Sequence, residues 1–137
     1  MSGRLADLSG PEVTDLLTSD SVVVLPVGAI EQHGPHLPLS VDAVIAEEVA
    51  SALLNAVGDD IDLWLLPTLA VSKSNEHAWS PGTLWLSAET LMRVLDDLAA
   101  CVAATPARRL VLLNGHGGNS SLLVTACRDL RVAHGLL

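Results

Sequence analysis

The chain has 137 residues, half of them apolar and 17% charged, which suits one compact domain with its own core and excludes both a disordered chain and two domains of ordinary size. A net charge of −9 with only seven Lys plus Arg makes phosphate backbones and anionic lipid unfavourable partners, so neither nucleic acid nor a membrane surface is expected. The amino terminus carries no long apolar run after Arg4, and no later segment supplies the roughly 18 uncharged apolar residues of a membrane span, so a cytoplasmic location is expected.

The first predicted element is a short helix over Pro11 to Leu17, capped by Ser9. It leads into the run from Ser21 to Val27, which reads as a strand. Because Val22 to Leu25 is apolar at consecutive positions, both faces of this strand should be covered, as in a central parallel strand with helices on either side. From Asp42 to Val57, Val44, Ile45, Val49, Ala52, Leu53 and Ala56 recur at three- and four-residue steps, which predicts an amphipathic helix stopped by Gly58 with those residues facing inward. Asp62 to Leu66 is a second short strand, and Ser72 to Thr83 is a polar loop.

Ser87 then caps a third long segment of helix, with Leu91, Val94, Leu95, Leu98 and Val102 as its stripe, before Pro106. Arg109 to Leu113 is a third strand. The last helix runs from Ser120 to Val132, capped by Asn119 and ended by Gly135. Alternation of helix and strand points to a right-handed α/β layer fold forming one domain over residues 1–137. Three strands make a thin sheet, so further chain or another subunit is expected at an edge. There are three Trp and no Phe or Tyr, which leaves any stacking role to Trp64, Trp79 and Trp85. Cys101 and Cys127 lie inside helix-like apolar patterns and read as two buried free thiols without chemistry.

Two polar clusters stand just beyond strand ends, where open α/β sheets bind ligands. In Glu31-Gln-His-Gly-Pro-His-Leu-Pro-Leu-Ser-Val-Asp42, Glu31 and His33 are two apart, so an extended backbone points both the same way, and Asp42 opens the next helix. An isolated Asp there is usually a helix cap and a lone loop His is usually a surface residue. Four candidate ligands within twelve residues, in a chain with five His, shift the balance to a divalent metal. In Asn114-Gly-His-Gly-Gly-Asn119, Gly115, Gly117 and Gly118 permit positive φ and a close backbone approach, with His116 directed into the crevice. A plain glycine turn or an anion site is the competing reading; the spacing matches neither a phosphate loop nor a dinucleotide fingerprint. The third stretch offers Ser74, Glu76, His77 and Trp79 to the same crevice, as acid, base or substrate contacts or as an ordinary polar loop. Without a Gly-x-Ser-x-Gly elbow or a Cys beside a His, nucleophilic triads are disfavoured.

Pro26 to Asp42, then Glu76-His77 with Pro81-Gly-Thr83, then Asn114 to Asn119 together resemble the creatininase (creatinine amidohydrolase) family, in the right order along nearly the whole chain. The resemblance implies a three-layer α/β/α fold with a mainly parallel sheet, hydrolysis of an amide or peptide C–N bond, and homo-oligomers, commonly hexamers. It further implies two divalent ions, zinc or manganese with iron as a further option. Glu31 and His116 would then bind one ion, His33 the other, and Asp42 both. His77 would be catalytic, with Ser74 and Glu76 on the substrate side. Creatininase itself has a Glu two residues after the loop His, where this chain has Gly118; members with Gly draw that carboxylate from a later segment, and creatinine becomes a disfavoured substrate. Peptidases that mature a peptide-derived redox cofactor precursor and formamide hydrolases belong to the Gly type. The sequence covers about the first half of such a chain, so a form ending at Leu137 is expected to bind metal weakly and hydrolyse little; an inactive metal-binding fragment is the alternative. A nucleotide-binding α/β domain is the third reading, and it lacks a phosphate lysine.

Overall fold

A computed structural model of the chain describes residues 1–58 and 60–137. Four strands, β1 (Gly3–Arg4), β2 (Val22–Val27), β3 (Leu63–Leu65) and β4 (Arg109–Asn114), form one parallel sheet in the order β1-β3-β2-β4. Among the described residues, four α-helices accompany them: α1 (Gly10–Leu16), α2 (Val41–Val57), α3 (Ala88–Ala103) and α4 (Ser120–His134). β1 is the strand that sequence patterning missed, since two residues are too few to show a period.

The consecutive apolar residues of β2 are divided between two cores. Val23, Leu25 and Val27 pack with Leu91, Leu95, Leu123, Ala126 and Leu130 of α3 and α4, while Val24 packs with Ala50 of α2 and Leu63 and Leu65 of β3. Because adjacent strand residues point to opposite faces, this gives the expected three layers, and each Val or Leu so buried contributes about 1.5–3 kcal/mol. Trp64 also lies in the larger core, and its indole N–H donates to Asp62 Oδ1 at 2.8 Å, so no polar group is stranded there. α3 begins at the expected cap: Ser87 Oγ accepts from the Thr90 N–H at 3.1 Å.

α2 is helical as expected, and Leu53 of its expected stripe packs against the smaller core, but the phase of its first half differs. Val44, Ile45 and Val49 are 52%, 48% and 49% exposed, whereas the buried positions are Asp42, Ala43, Ala46 and Ala50. The small inward residues let the helix backbone lie unusually close to the sheet. A Cβ on Gly28, just past β2, would fall 2.3 Å from Ala43 Cα, and one on Gly115, just past β4, would fall 2.8 Å from the Asp42 carbonyl oxygen. The first turn of α2 is thereby wedged between the carboxyl ends of the two longest strands.

Cys101 and Cys127 are free, as expected, but exposed. The inward stripes of their helices are taken by Ala99 and Val102 in α3 and by Ala126 and Leu130 in α4, so each Cys falls on the outer side. Among the described residues, no helix is long and apolar enough to cross a membrane.

Candidate metal centre

Three backbone segments meet at the carboxyl ends of β2 and β4. The loop after β2 carries Glu31 and His33, α2 presents Asp42 from its first turn, and the turn after β4 presents His116. Glu31, Asp42 and His116 are all buried, and one ligand atom from each lies within 4.8 Å of the others.

Asp42 does not cap its helix. Ser40 is the cap residue and makes no side-chain capping bond, while the Asp42 carboxylate turns toward two imidazoles. Its Oδ1 is 3.0 Å from His33 Nε2 and its Oδ2 is 2.8 Å from His116 Nδ1. The other nitrogen of each ring meets a backbone carbonyl, which can only accept. With a cation between the rings and Asp42, His33 Nδ1–H would donate to the Glu31 carbonyl at 3.1 Å, and His116 Nε2–H to the Lys73 carbonyl at 3.0 Å. The remaining nitrogen of each neutral ring would then offer a lone pair to that cation, on the side that faces Asp42. A carbonyl behind the ring and a free lone pair in front is the arrangement by which proteins orient histidine ligands.

Glu31 completes the cluster. Its Oε1 is 3.3 Å from His116 Nδ1, and its buried Oε2 has no hydrogen-bond partner among the described residues. Burying a carboxylate oxygen without a partner is costly, and a cation is the partner that removes the cost. Ligands about 2.1 Å from a tetrahedral ion are about 3.4 Å apart, close to the 2.8 and 3.3 Å separations here, so the oxygen and nitrogen donors suit zinc or manganese.

The loop over this cluster supplies the remaining expected residues. Asn75–His77 forms a single helical turn. His77 Nε2 is 3.9 Å from Glu31 Oε2, its Nδ1 is 3.3 Å from Gln32 Nε2, and its ring meets Trp79 edge-on at 6.3 Å. Glu76 Oε2 accepts from Lys73 Nζ at 3.0 Å, and its Oε1 is 3.9 Å from His116 Nε2. Partial burial pushes the Glu76 carboxyl up, but its backbone hydrogen bond and the Lys73 ammonium outweigh this and hold it below its ordinary value. Ser74 is fully buried, with Oγ 3.4 Å from His116 Nε2, so it meets the imidazole from behind. His36, the remaining histidine of the first motif, makes no hydrogen bond or ion pair with this cluster among the described residues.

The glycine turn works differently from expectation. The glycines with positive φ among the described residues are Gly34, Gly82 and Gly135, so Gly115, Gly117 and Gly118 are not needed for left-handed backbone. Asn119 likewise does not cap α4 with its side chain. It is fully buried, accepts from the Lys73 N–H at 3.2 Å and donates to Asn114 Oδ1 at 3.3 Å. Asn114 in turn donates to the His116 carbonyl at 2.8 Å and accepts from the His116 N–H at 3.2 Å. These two Asn residues and the Lys73 backbone are what sequence reasoning missed. The available signal was an Asn on each side of a Gly-His-Gly-Gly turn.

An apolar surface groove between β4 and α4, lined by Leu110, Leu112, Leu130 and Leu136, holds none of the candidate ligands. It marks the outer flank of the sheet, where Leu137 pairs with the start of β4 through Leu110 N–H to Leu137 O at 3.0 Å and Leu137 N–H to Arg108 O at 2.8 Å.

Comparison with known proteins agrees with this architecture. The family model described as creatinine amidohydrolase matches residues 6–137. The chain is 38% identical over 135 residues to the mycofactocin precursor peptide peptidase of Mycobacterium tuberculosis, covering 93% of this chain and 53% of that protein. It is 37% identical over 123 residues to the creatinine amidohydrolase of Pseudomonas putida, covering 83% and 46%. A solved manganese creatininase superposes with a TM-score of 0.78 at 34% identity, covering all of this chain and 55% of that one. The chain thus spans about half the length of the curated relatives it matches. With the three motifs, the parallel sheet and the match over 6–137 in agreement, the chain belongs to the creatininase family.

Proposed function

We propose that this chain carries the metal centre of a hydrolase that cleaves an amide or peptide C–N bond with a pair of divalent ions. One observation carries the reading. Two imidazoles, each pinned by a backbone carbonyl, aim their free nitrogens at the two different oxygens of one buried carboxylate, beside a Glu31 oxygen that has no partner among the described residues. In this proposal Glu31 and His116 would hold one ion, His33 would hold the other, and Asp42 would serve both. Zinc and manganese fit the donors best, and the manganese creatininase supports that choice. When bound, the ions supply activation of water at neutral pH and charge stabilisation for the developing oxyanion.

The chain's own residues do the rest. Asp42 and Glu31 set the negative charge that holds the site together, and the low solvent access of both strengthens every charge interaction there. His77 stands at the solvent side with one ring nitrogen toward Glu31 and the other toward Gln32, where it can carry a proton to the leaving nitrogen. The open edges of Glu76 and His77 border the substrate, and Ser74 supports the wall behind His116. A peptide amide is the favoured substrate class, given the 38% identity to a precursor peptide peptidase. Homo-oligomeric assembly, as a hexamer, belongs to the same proposal; the outward Val44, Ile45 and Val49 of α2 support it.

The test is elemental analysis of the natural protein purified without chelator, beside Asp42→Asn and His116→Ala, with release of amine from peptide amides followed by mass spectrometry. The reading expects about two equivalents of zinc or manganese in the parent, loss of most metal in both variants, and hydrolysis that a chelator stops. Metal-free parent protein with unchanged folding, or hydrolysis indifferent to chelator, would sink it.

A further inference from the structure

Among the described residues, two buried side-chain polar atoms lack a hydrogen-bond partner, Glu31 Oε2 and Thr83 Oγ1. The first belongs to the candidate metal centre. The second closes Pro81-Gly-Thr83, the part of the sequence motifs to which the metal centre gives no role.

The backbone sets these two residues against each other. Ile30 and Leu84 form an isolated antiparallel bridge, with the Leu84 N–H donating to the Ile30 carbonyl at 2.9 Å. One step along that register, Glu31 lies across from Thr83. The backbone N–H groups of this second pair are both used elsewhere: that of Glu31 donates to the Leu39 carbonyl at 2.9 Å and that of Thr83 to the Ser80 carbonyl at 3.3 Å. This is the non-hydrogen-bonded kind of antiparallel pair, in which opposite side chains share one face and the Cα atoms approach to about 4.5 Å. The turn before Thr83 is fixed as well. Gly82 has φ +90°, and a Cβ on it would fall 2.6 Å from Leu39 Cδ1, so the turn packs on the same residue whose carbonyl holds the Glu31 backbone.

Two atoms without partners therefore belong to facing side chains, and their chemistry is complementary: a hydroxyl can donate, and an ionised carboxylate oxygen can only accept. A cation beside His116 would take one oxygen of Glu31. The other oxygen then needs a donor, because burying it bare is costly. His77 Nε2, at 3.9 Å from Oε2, is too far away to be that donor. The last torsion of a glutamate is broad, so the carboxylate can turn to meet an ion and a hydroxyl together.

We propose that Thr83 is a positioning residue for Glu31. Its hydroxyl donates to the carboxylate when a divalent ion is bound and holds Glu31 in the orientation that ligates. Thr83 acts through Glu31, and this inference rests on the metal-centre reading above. A Thr83 that only fills space in its loop would matter equally with and without metal, and that difference separates the two roles.

The experiment uses the full natural protein. Zinc affinity is read by competition with a chromophoric chelator, and melting temperature is read by calorimetry in excess chelator. Thr83→Val keeps the branched shape and removes the hydroxyl, while Thr83→Ser keeps the hydroxyl and removes the methyl group. Thr83→Val should weaken zinc about 10-fold, within the range that outer-shell partners of metal ligands command, and Thr83→Ser should stay within about threefold of the parent. In chelator Thr83→Val should melt no lower than the parent, since it removes a buried hydroxyl that has no partner there. Thr125→Val, which removes a hydroxyl from the exposed side of α4, should leave zinc affinity unchanged. Zinc affinity within about threefold of the parent in Thr83→Val, an equal loss in Thr83→Ser or Thr125→Val, or a lower melting temperature of Thr83→Val in chelator overturns the inference while leaving the metal centre standing. A parent protein that binds no zinc overturns the metal centre and this inference with it.

Discussion

Glu31 shows how a residue that weakens the fold can be the one its chemistry needs. Its buried Oε2 has no partner among the described residues, and the Asp42 carboxylate lies close by through the shared contact with His116. Glu31→Gln removes a buried charge while keeping the shape, so the chelator-treated protein should be stabilised by about 1–2 kcal/mol. The same change removes a ligand, so the rise in melting temperature on adding zinc should shrink sharply. Calorimetry with chelator and then with zinc reads both effects. A Glu31→Gln protein less stable than the parent in chelator would mean that the carboxylate is satisfied after all. At this scale the sequence was informative, because residue type and proximity to a strand end already singled out Glu31, His33, Asp42 and His116. Which ring nitrogen faces the carboxylates was not legible, since it depends on the Lys73 carbonyl arriving from a loop more than forty positions away.

Element placement depends on how closely α2 approaches the sheet. Gly28→Ala would drive a Cβ into the Ala43 backbone, and because backbone cannot step aside cheaply, we expect a loss of about 3 kcal/mol or more, read by denaturant unfolding. Metal affinity should fall with it, as Asp42 is displaced. A second tie joins α2 to the edge of the sheet. Arg4 of β1 reaches Glu47 Oε1 at 2.7 Å, and the Thr68 hydroxyl donates to Glu47 Oε2. The Thr68 bond, then the Arg4 bond, hold the Glu47 carboxyl below its ordinary value of 4.5 against a smaller opposing effect of burial. A lowered folded pKa means that this stabilisation is present above 4.5 and is lost as the pH falls through the folded value. Glu47→Gln should therefore cost about 1 kcal/mol at pH 7, modest because the pair is partly solvated. The gap between variant and parent should close on acidification, as followed by unfolding curves from pH 7 to pH 3. A gap independent of pH would show that the charge of Glu47 is not what matters. The helix stripe of α3 and its Ser87 cap were readable from sequence. The phase of α2 was not, because small and large apolar residues lie on both of its sides and periodicity alone cannot say which side packs.

Over the whole molecule, one flank of α2 and the outer edge of β4 carry apolar side chains that the described residues do not cover. Val44, Ile45 and Val49 stand out from α2, and Val111 from β4 is 44% exposed. Surfaces of this kind favour association. The parent should therefore sediment as more than a monomer at micromolar concentration, and Ile45→Glu with Val49→Lys should shift it toward monomer without loss of helical signal, since neither residue is in the core. A double variant that sediments as the parent does would exclude the α2 face from assembly.

By itself the sequence determined the alternation of helix and strand, the doubly covered central strand, and the three motifs whose strand-end placement makes a metal centre the best reading. These follow from local chemistry: strand period, caps, breakers and donor types act over a few residues. Only the tertiary structure decided that Ala43, Ala46 and Ala50, and not Val44, Ile45 and Val49, face the sheet, that Cys101 and Cys127 point outward, and that Asn119 bonds across to Lys73 instead of capping α4. Each of these depends on residues far apart in the chain that the fold brings together, as where Gly28 lies against the Ala43 backbone and Gly115 against the Asp42 carbonyl.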